Sequence, residues 1–243
     1  MKSYKPILVK PTAPPSALPR QTLVATAVED LRRRIISGEF EEGESLNQVI
    51  IARDYAISRI PLREAMRQLE VEGLLVFYPG KGAVVSKLSL NEIREVIDLR
   101  ANIEPDMLSR AVPLLTGTEL DGADQILDEY DAAFKKGEVA LWGKLNWRFH
   151  STLYAASGRA ITMGIVQNLH HLNERYAKIQ ISITHWEQRA SREHHEILEA
   201  CRTRKQRSAA MLLKKHILSA GAALIDALDE SQGVKGGKNS KRK

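Results

Sequence analysis

The sequence predicts a mainly α-helical protein of two domains: three short helices followed by a β-hairpin, and then an all-α antiparallel bundle. Apolar residues recur at spacings of three and four through residues 22–73 and again through residues 89–230, which is the period of an amphipathic helix. Between them, two short apolar runs flank the turn Pro79-Gly80-Lys81-Gly82, a pattern typical of a hairpin. With 243 residues, the chain is long enough to bury two cores.

Composition indicates segments without a core at both ends of the chain. Residues 1–20 contain five prolines and no helical period, and residues 231–243 are rich in glycine and lysine. We predict a disordered arm at the first end and a disordered basic tail at the second. The two folded domains are then residues 21–88 and residues 89–230.

The positive charge of the chain lies mainly in these two ends. The net charge is +6, yet the arm and the tail together hold nine basic residues and no acidic one. The residues between them are therefore slightly acidic in total. A surface that binds nucleic acid has to come from local clustering of basic side chains rather than from bulk charge.

The cellular compartment is indicated by the cysteine count and by the N-terminus. Cys201 is the single cysteine, so no intrachain disulfide is possible and a reducing interior is expected. No apolar run approaches the length of a membrane-spanning helix, and no signal-type apolar region is found near the N-terminus. We expect a cytoplasmic protein without membrane contact.

Three helices are predicted in the N-terminal domain. The first begins at Thr22 and ends at Gly38, and the second covers residues 46–55. A short turn leads to Ser58, which is expected to cap the third helix by accepting from its first-turn N–H groups. Gly73 suits the left-handed position after that helix. Two short helices that meet at such a turn form a helix-turn-helix.

The third helix has two different faces. One is an apolar stripe for packing, and the other carries three arginines one turn apart: Arg59, Arg63 and Arg67. Successive arginines stand about 6 Å apart along the axis, against about 3.4 Å per base step, so they can meet different bases or phosphates. These residues and Ser58 are candidate DNA contacts. The alternative is a solvated amphipathic helix whose arginines pair with Glu64 and Glu70.

The predicted hairpin turns this arrangement into a winged helix-turn-helix. Its strands are residues 74–78 and 83–85, and the turn between them is rich in glycine. Lys81 lies at the tip of the turn, where we expect it to enter the minor groove or to contact a phosphate.

The N-terminal domain resembles a known family. The run SRIPLREAMRQLEVEGL followed by PGKGAVV, within residues 22–88, is similar to the winged helix-turn-helix of the GntR superfamily of bacterial transcription regulators. The resemblance implies that Arg59, Arg63 and the wing glycine Gly82 contact operator DNA. Ile60 stands where threonine is usual in that family.

An all-helical domain is predicted from residue 89 onwards. Ser89 and Glu92 have the spacing of a capping box at its start, and Thr118 is expected to cap the second helix. Six helices are predicted, over residues 89–115, 118–136, 138–157, 160–183, 187–203 and 205–230.

Two charged residues lie within the apolar stripe of the first of these helices, Arg100 and Glu104. Burying either charge without a partner costs several kcal/mol. They therefore pair with each other at i, i+4 or meet another polar group in the interior. Both interpretations stay open: an internal ion pair that fixes the helix, or a contact with an effector or between domains.

Four side chains indicate a metal site in this domain: Asn146, His150, His194 and His216. Each lies on, beside or at the edge of the apolar stripe of its helix. Three neutral imidazoles and an amide that face one interior can close on a divalent metal. The alternative is that each histidine is a hydrogen-bonded core residue. The histidines without this pattern are predicted at the surface: His170, His171, His185 and His195.

The C-terminal domain also resembles a known family. LNWRFHSTLYAASG, REHHEILEAC and AAMLLKKHI look like segments of the FadR-type effector domain called FCD, in its smaller, VanR-like version with six helices. The resemblance implies that Asn146, His150, His194 and His216 hold a divalent metal, zinc or nickel. Aspartate is commoner than asparagine at the first of these positions.

The two resemblances imply a homodimeric, ligand-responsive transcription regulator, a repressor of a metabolic operon that binds double-stranded operator DNA. An asparagine and three neutral histidines would leave the metal its full charge, so we expect a small organic acid that binds the metal and the Arg100–Glu104 region. Two alternatives stay open. One is a metal-dependent hydrolase with Glu104 as general base, and the other is a nonspecific DNA-binding protein that acts through its basic tails.

Overall fold

Residues 20–184 and 186–238 are described by a computed structural model, in which they form nine α-helices and one two-stranded sheet. The N-terminal domain contains α1 Arg20–Ile36, α2 Gln48–Asp54, α3 Arg59–Val71, β1 Leu75–Tyr78 and β2 Gly82–Val85. The C-terminal domain contains α4 Leu90–Ala111, α5 Gly117–Lys135, α6 Val139–Ala155, α7 Ala160–Thr184, α8 Trp186–Arg202 and α9 Gln206–Lys238. The predicted fold class is confirmed. The predicted arm, apart from Arg20, lies outside the described residues.

The core of the N-terminal domain forms where the apolar faces of α1 and α3 meet. Leu31 of α1 and Leu62, Met66 and Leu69 of α3 are completely buried. Burying a side chain of this size contributes about 1.5–3 kcal/mol. The stripe of α3 that the sequence predicts for packing is therefore the stripe that packs, which leaves the opposite face of the helix in solvent.

The cap predicted for α3 is only partly present. Ser58 has the extended backbone of an N-cap residue, but its side chain makes no capping hydrogen bond. A cap side chain binds the N–H of the second or third helical residue, and the third residue of α3 is Pro61, which has no N–H. Asn47 makes the complete motif at the start of α2, where its side chain accepts from two backbone N–H groups.

The wing is an antiparallel hairpin, as the sequence predicts, and Gly82, predicted in the turn, begins β2 opposite Tyr78. Gly82 has φ +76°, in the left-handed region that glycine adopts without strain. The Ser45 hydroxyl donates to the Lys81 carbonyl at 2.9 Å. This hydrogen bond ties the tip of the wing to the segment that precedes α2.

The C-terminal domain has the six helices predicted, with one cap displaced. Ser89 and Glu92 form the predicted capping box at the start of α4. The cap of α5 is Thr116 and not Thr118. Thr116 has Glu119 three residues later, and the two complete a second capping box, which satisfies two orphan N–H groups at once.

Helix α9 is longer than the predicted helix over residues 205–230, and much of it is apolar. It continues to Lys238, past residue 230, because glycine weakens a helix without forbidding it. Its segment Gln206–Glu230 has the length and composition of a membrane-spanning helix, contrary to the prediction that no such run exists. Apolar residues of this segment are buried in the core of the bundle: Leu213, Ile217 and Leu224. Residues 239–243 lie outside the described residues.

Helices α4 and α9 approach each other closely at Gly221. A Cβ atom at this position would lie 2.6 Å from Cγ2 of Ile97, which is well inside van der Waals contact. Ile97 is itself buried in the core. The absence of a side chain at Gly221 thus permits the packing of the two helices.

We predict that Gly221→Ala destabilises the fold by about 1–3 kcal/mol, because the added methyl group has to displace Ile97 or separate the helices. Gly164→Ala in α7 is the matched control, since nothing lies within 4 Å of its Cβ position. The control should stabilise the protein by about 0.5–1 kcal/mol through helix propensity alone. Urea unfolding measures both changes, and equal values would contradict the close packing.

Candidate functional site

The exposed face of α3 carries the predicted arginines. Arg59, Arg63 and Arg67 are all exposed. Arg67 is engaged within the domain, because it donates to Glu70 at 2.6 Å and its guanidinium lies 4.0 Å from the ring centre of Phe77. Within the described part of the chain, Arg59 and Arg63 have no ion-pair partner. The alternative in which the arginines of α3 form ion pairs within the helix therefore applies to Arg67 and Glu70. Arg59 and Arg63 are available to contact another molecule.

The wing lies beside this face of α3. Phe77 belongs to β1, so its contact with Arg67 joins the helix to the hairpin. Ser58 at the start of α3 and Lys81 at the tip of the wing are both exposed. The arginine face of α3 thus meets the wing at Arg67 and Phe77, and the contacts of the predicted residues with DNA stay a prediction.

Three histidines from three helices meet in the interior of the second domain. His150 of α6, His194 of α8 and His216 of α9 are buried, and each offers a nitrogen within 4.8 Å of the others. The ring centres of His194 and His216 are 4.7 Å apart. The prediction that these histidines face one interior is confirmed.

The histidine cluster contains nitrogens without partners. Both ring nitrogens of His194 and Nε2 of His150 are buried and make no hydrogen bond. Burial lowers the pKa of both histidines well below 6.5, so the rings are neutral and can act as ligands. A buried polar atom without a partner costs about 1–3 kcal/mol. A divalent metal would satisfy these atoms, and the residues present fit one.

Hydrogen bonds orient two of the three rings. His216 Nδ1 lies 2.8 Å from a Glu193 carboxylate oxygen, so Nδ1 carries the proton and Nε2 is free to bind a metal. His150 Nδ1 lies 3.3 Å from the hydroxyl oxygen of Tyr154. Since the Tyr154 O–H donates its hydrogen bond to Glu104, the Tyr154 oxygen accepts from Nδ1–H of His150, and Nε2 of His150 is again the free nitrogen. Such outer partners fix the tautomer of metal-ligating histidines.

Asn146 is half-buried and lies one helical turn before His150 on α6. Its amide makes no hydrogen bond within the described part of the chain. Residues four apart lie on the same face of a helix, which is the placement a fourth ligand requires. Ligation by Asn146 stays a prediction.

A buried polar network lies next to the histidine cluster. Arg100 donates from Nε to Glu104 at 2.7 Å, which confirms the predicted ion pair. Tyr154 donates to the other oxygen of Glu104 at 2.7 Å, and Arg100 donates from Nη2 to His170 Nε2 at 3.0 Å. The prediction of a surface position for His170 is wrong. The side chains that form hydrogen bonds with His170 belong to another helix, α4, so the pattern of apolar residues around His170 in the sequence does not indicate that it is buried.

The electrostatics of this network follow from burial and from the Arg100 charge. Burial alone would raise the pKa of Glu104, but the guanidinium outweighs it and the pKa lies well below the usual range. Burial and then the same guanidinium lower the pKa of His170 to about 4. Glu104 is therefore ionised, and its carboxylate is a weak base. This weakens the hydrolase alternative, which depends on Glu104 as general base.

Helix α7 connects this network to the DNA-binding domain. His171, the neighbour of His170, lies 3.8 Å from a carboxylate oxygen of Glu72, the C-cap residue that follows α3. Glu72 is also held by two hydrogen bonds from Arg32 of α1, at 2.7 and 2.8 Å. Leu172 packs on Gly73, 3.2 Å from where a Cβ would lie.

One turn further along α7, the Tyr176 hydroxyl donates to Glu42 at 2.6 Å and accepts from the Leu88 N–H at 3.1 Å. The prediction of a surface position for His171 is also wrong, because its side chain is packed between the domains. His195 is exposed as predicted and lies 3.1 Å from Asp131. His185 lies outside the described residues.

Comparison with known proteins identifies the two domains. The family model for bacterial regulatory proteins of the gntR family matches residues 23–85, and the FCD domain model matches residues 95–219. The chain belongs to the gntR family of bacterial regulators, with an FCD domain. Both predicted resemblances are therefore confirmed.

The relatives of this gntR-family protein are transcription regulators. The Escherichia coli (strain K12) repressor GlaR is 27% identical over 210 residues, covering 78% of this chain and 90% of GlaR. The gluconate operon repressor of Bacillus subtilis (strain 168) is 27% identical over 154 residues, 63% of each chain. The solved structure of E. coli McbR/YncC has a TM-score of 0.76 at 19% identity, covering 84% of this chain and 97% of its own. The FCD regulator described here shares that fold.

We predict that Glu104→Gln destabilises the protein by about 3–5 kcal/mol, because the change leaves the Arg100 charge buried without a counter-ion. Asp106→Asn is the matched control on the same helix. Asp106 pairs with Arg110 and Arg159 in solvent, and its loss should cost no more than about 1 kcal/mol. Denaturant unfolding of the metal-free protein compares the two variants. A small loss in Glu104→Gln would show that the ion pair does not hold the interior together.

Proposed function

We propose that this FCD regulator is a homodimeric repressor of a metabolic operon, controlled by a small organic acid that binds at the histidine cluster. The observation that carries the DNA-binding half is the pair of exposed, unpaired arginines on α3. The observation that carries the effector half is the set of buried histidine nitrogens without partners. The names of GlaR and of the gluconate operon protein support repression.

The arginines act at the first two turns of α3. In a helix-turn-helix, the N-terminal residues of the recognition helix contact base edges in the major groove. Arg59 and Arg63 can each donate two hydrogen bonds to a guanine or bind a phosphate. Lys81 and Ser58 contact the backbone beside them, and Gly82 lets the wing approach closely. A dimer repeats these contacts on two half-sites.

Arg59→Ala and Arg63→Ala should abolish specific operator binding, with a loss of about 1–3 kcal/mol for each contact in each half-site. The matched control is Arg94→Ala, which removes the same charge from an exposed site on α4. Gel shifts on the protein's own promoter region with competitor DNA measure the effect. If the α3 variants bind like the control, the exposed face of α3 is not the DNA-binding surface.

The histidine cluster would hold the metal through His150, His194 and His216, with Asn146 as the predicted fourth ligand. Zinc and nickel both suit imidazole ligands. A divalent cation with neutral ligands supplies a positive centre for a carboxylate. No described residue accepts a hydrogen bond from Nη1 of Arg100, so this atom can donate to a second carboxylate oxygen. Glu104 orients Arg100 for that role.

The response to the effector passes through α7. A ligand that pairs with Arg100 changes the contacts of His170, and the next two residues of α7 hold Glu72 and Gly73 at the end of α3. A displacement of α7 therefore moves the C-terminal end of the recognition helix. A ligand shifts such an equilibrium only by the difference between its affinities for the two states.

We predict that a carboxylate, rather than a sugar or an amine, stabilises the metal-loaded protein. At about 100 times its dissociation constant, a ligand adds about 2.7 kcal/mol, which thermal unfolding detects. The stabilisation should vanish in chelator-treated protein and in His194→Ala. His195→Ala, next to it on the exposed side of α8, should behave like wild type.

The outcomes of this screen separate the possibilities. A neutral sugar or an amine as the effector would show that the charge of the site does not select the ligand. A carboxylate that stabilises His194→Ala as strongly as His195→Ala would show that the histidine cluster does not anchor it.

A further inference from the structure

Ile60 is an apolar side chain beside the arginines on the face of α3 that is assigned to DNA. It is 63% exposed and is the second residue of α3, between Arg59 and Arg63. It contributes nothing to the core of the domain, which the apolar residues on the opposite side of α3 complete.

The helical geometry of α3 fixes the direction of Ile60. With about 100° per residue, Ile60 lies about 180° from the centre of the buried stripe that includes Leu62, Met66 and Leu69. The same geometry places it about 60° from Arg63. Ile60 thus projects directly away from the core, on the arginine side of the helix.

The major groove offers one apolar group on its base edges, the C5 methyl of thymine. The other groups that distinguish the base pairs there are hydrogen-bond donors or acceptors, which an isoleucine cannot satisfy. An exposed apolar side chain in the first turn of a recognition helix is therefore matched by that methyl group. Single exposed apolar residues are common on protein surfaces, so it is the position of Ile60 that carries the argument.

We propose that Ile60 contacts the C5 methyl of a thymine in each operator half-site, next to the bases that Arg59 and Arg63 contact. This inference rests on the proposed DNA-binding function and adds a specificity-determining residue to it. Ile60 then favours thymine over cytosine, and also over uracil, which differs from thymine only by lacking the methyl group.

The test begins with selection of duplexes from a randomised DNA library by the full-length protein. Thymines in the selected half-site are then replaced one at a time by deoxyuridine, and affinities are measured for wild type and for Ile60→Ala. Burying one methyl group corresponds to about a fourfold change in affinity. One thymine per half-site should show this loss in wild type and no loss in Ile60→Ala.

Val71→Ala is the matched control. Val71 is 83% exposed at the far end of α3, and its truncation should leave the deoxyuridine effect intact. A second selection with Ile60→Ala should lose the preference for thymine at that one position while the bases contacted by the arginines stay selected.

Specific binding without any deoxyuridine effect in wild type would overturn the role of Ile60 and leave the proposed function standing. The same holds if Ile60→Ala keeps the full effect, because another residue then contacts the methyl group. Failure of the wild type to select any sequence would overturn the proposed function and this inference together.

Discussion

The buried carboxylate of Glu104 is the constraint on which the interior of the FCD domain depends. An anion in this position is tolerated only because Arg100 and Tyr154 both donate to it at 2.7 Å. The two donors lie on different helices, so the charge fixes α4 against α6. Because the Tyr154 hydroxyl donates to Glu104, its oxygen accepts a hydrogen bond from Nδ1 of His150. The position of the Glu104 carboxylate thus fixes the tautomer of His150, one of the candidate metal ligands.

The same network also contacts helix α7, which packs on the N-terminal domain. Arg100 also holds His170, whose neighbours on α7 contact the end of α3. Arg100 and the end of α3 are thus connected through consecutive residues of α7. A rigid element with packed contacts at both ends is suited to transmit a small displacement, because packed interfaces do not deform continuously.

Sequence predicted those features that arise within one helix. The apolar stripes, the arginine face of α3, the Arg100–Glu104 pair at i, i+4 and the inward histidines all follow from the helical period. Features that need a partner distant in sequence were not predicted: His170 is buried against α4, and His171 is half-buried against the end of α3. Tyr154 was missed although it follows His150 by one turn, a spacing that would have identified it. The predicted cap at Ser58 is incomplete, and Pro61 removes one of the two N–H groups that a cap side chain binds.

The proposed coupling between the Arg100 site and α3 is measured most directly as the ratio of operator affinities with and without the stabilising carboxylate, in metal-loaded protein. Allosteric coupling of this kind typically changes affinity about 5–150-fold. We expect a ratio in this range for wild type. In the double variant His171→Ala, Tyr176→Phe, we expect a ratio near one, with the affinity for the carboxylate unchanged in the absence of DNA. A double variant with the full wild-type ratio would contradict transmission through α7.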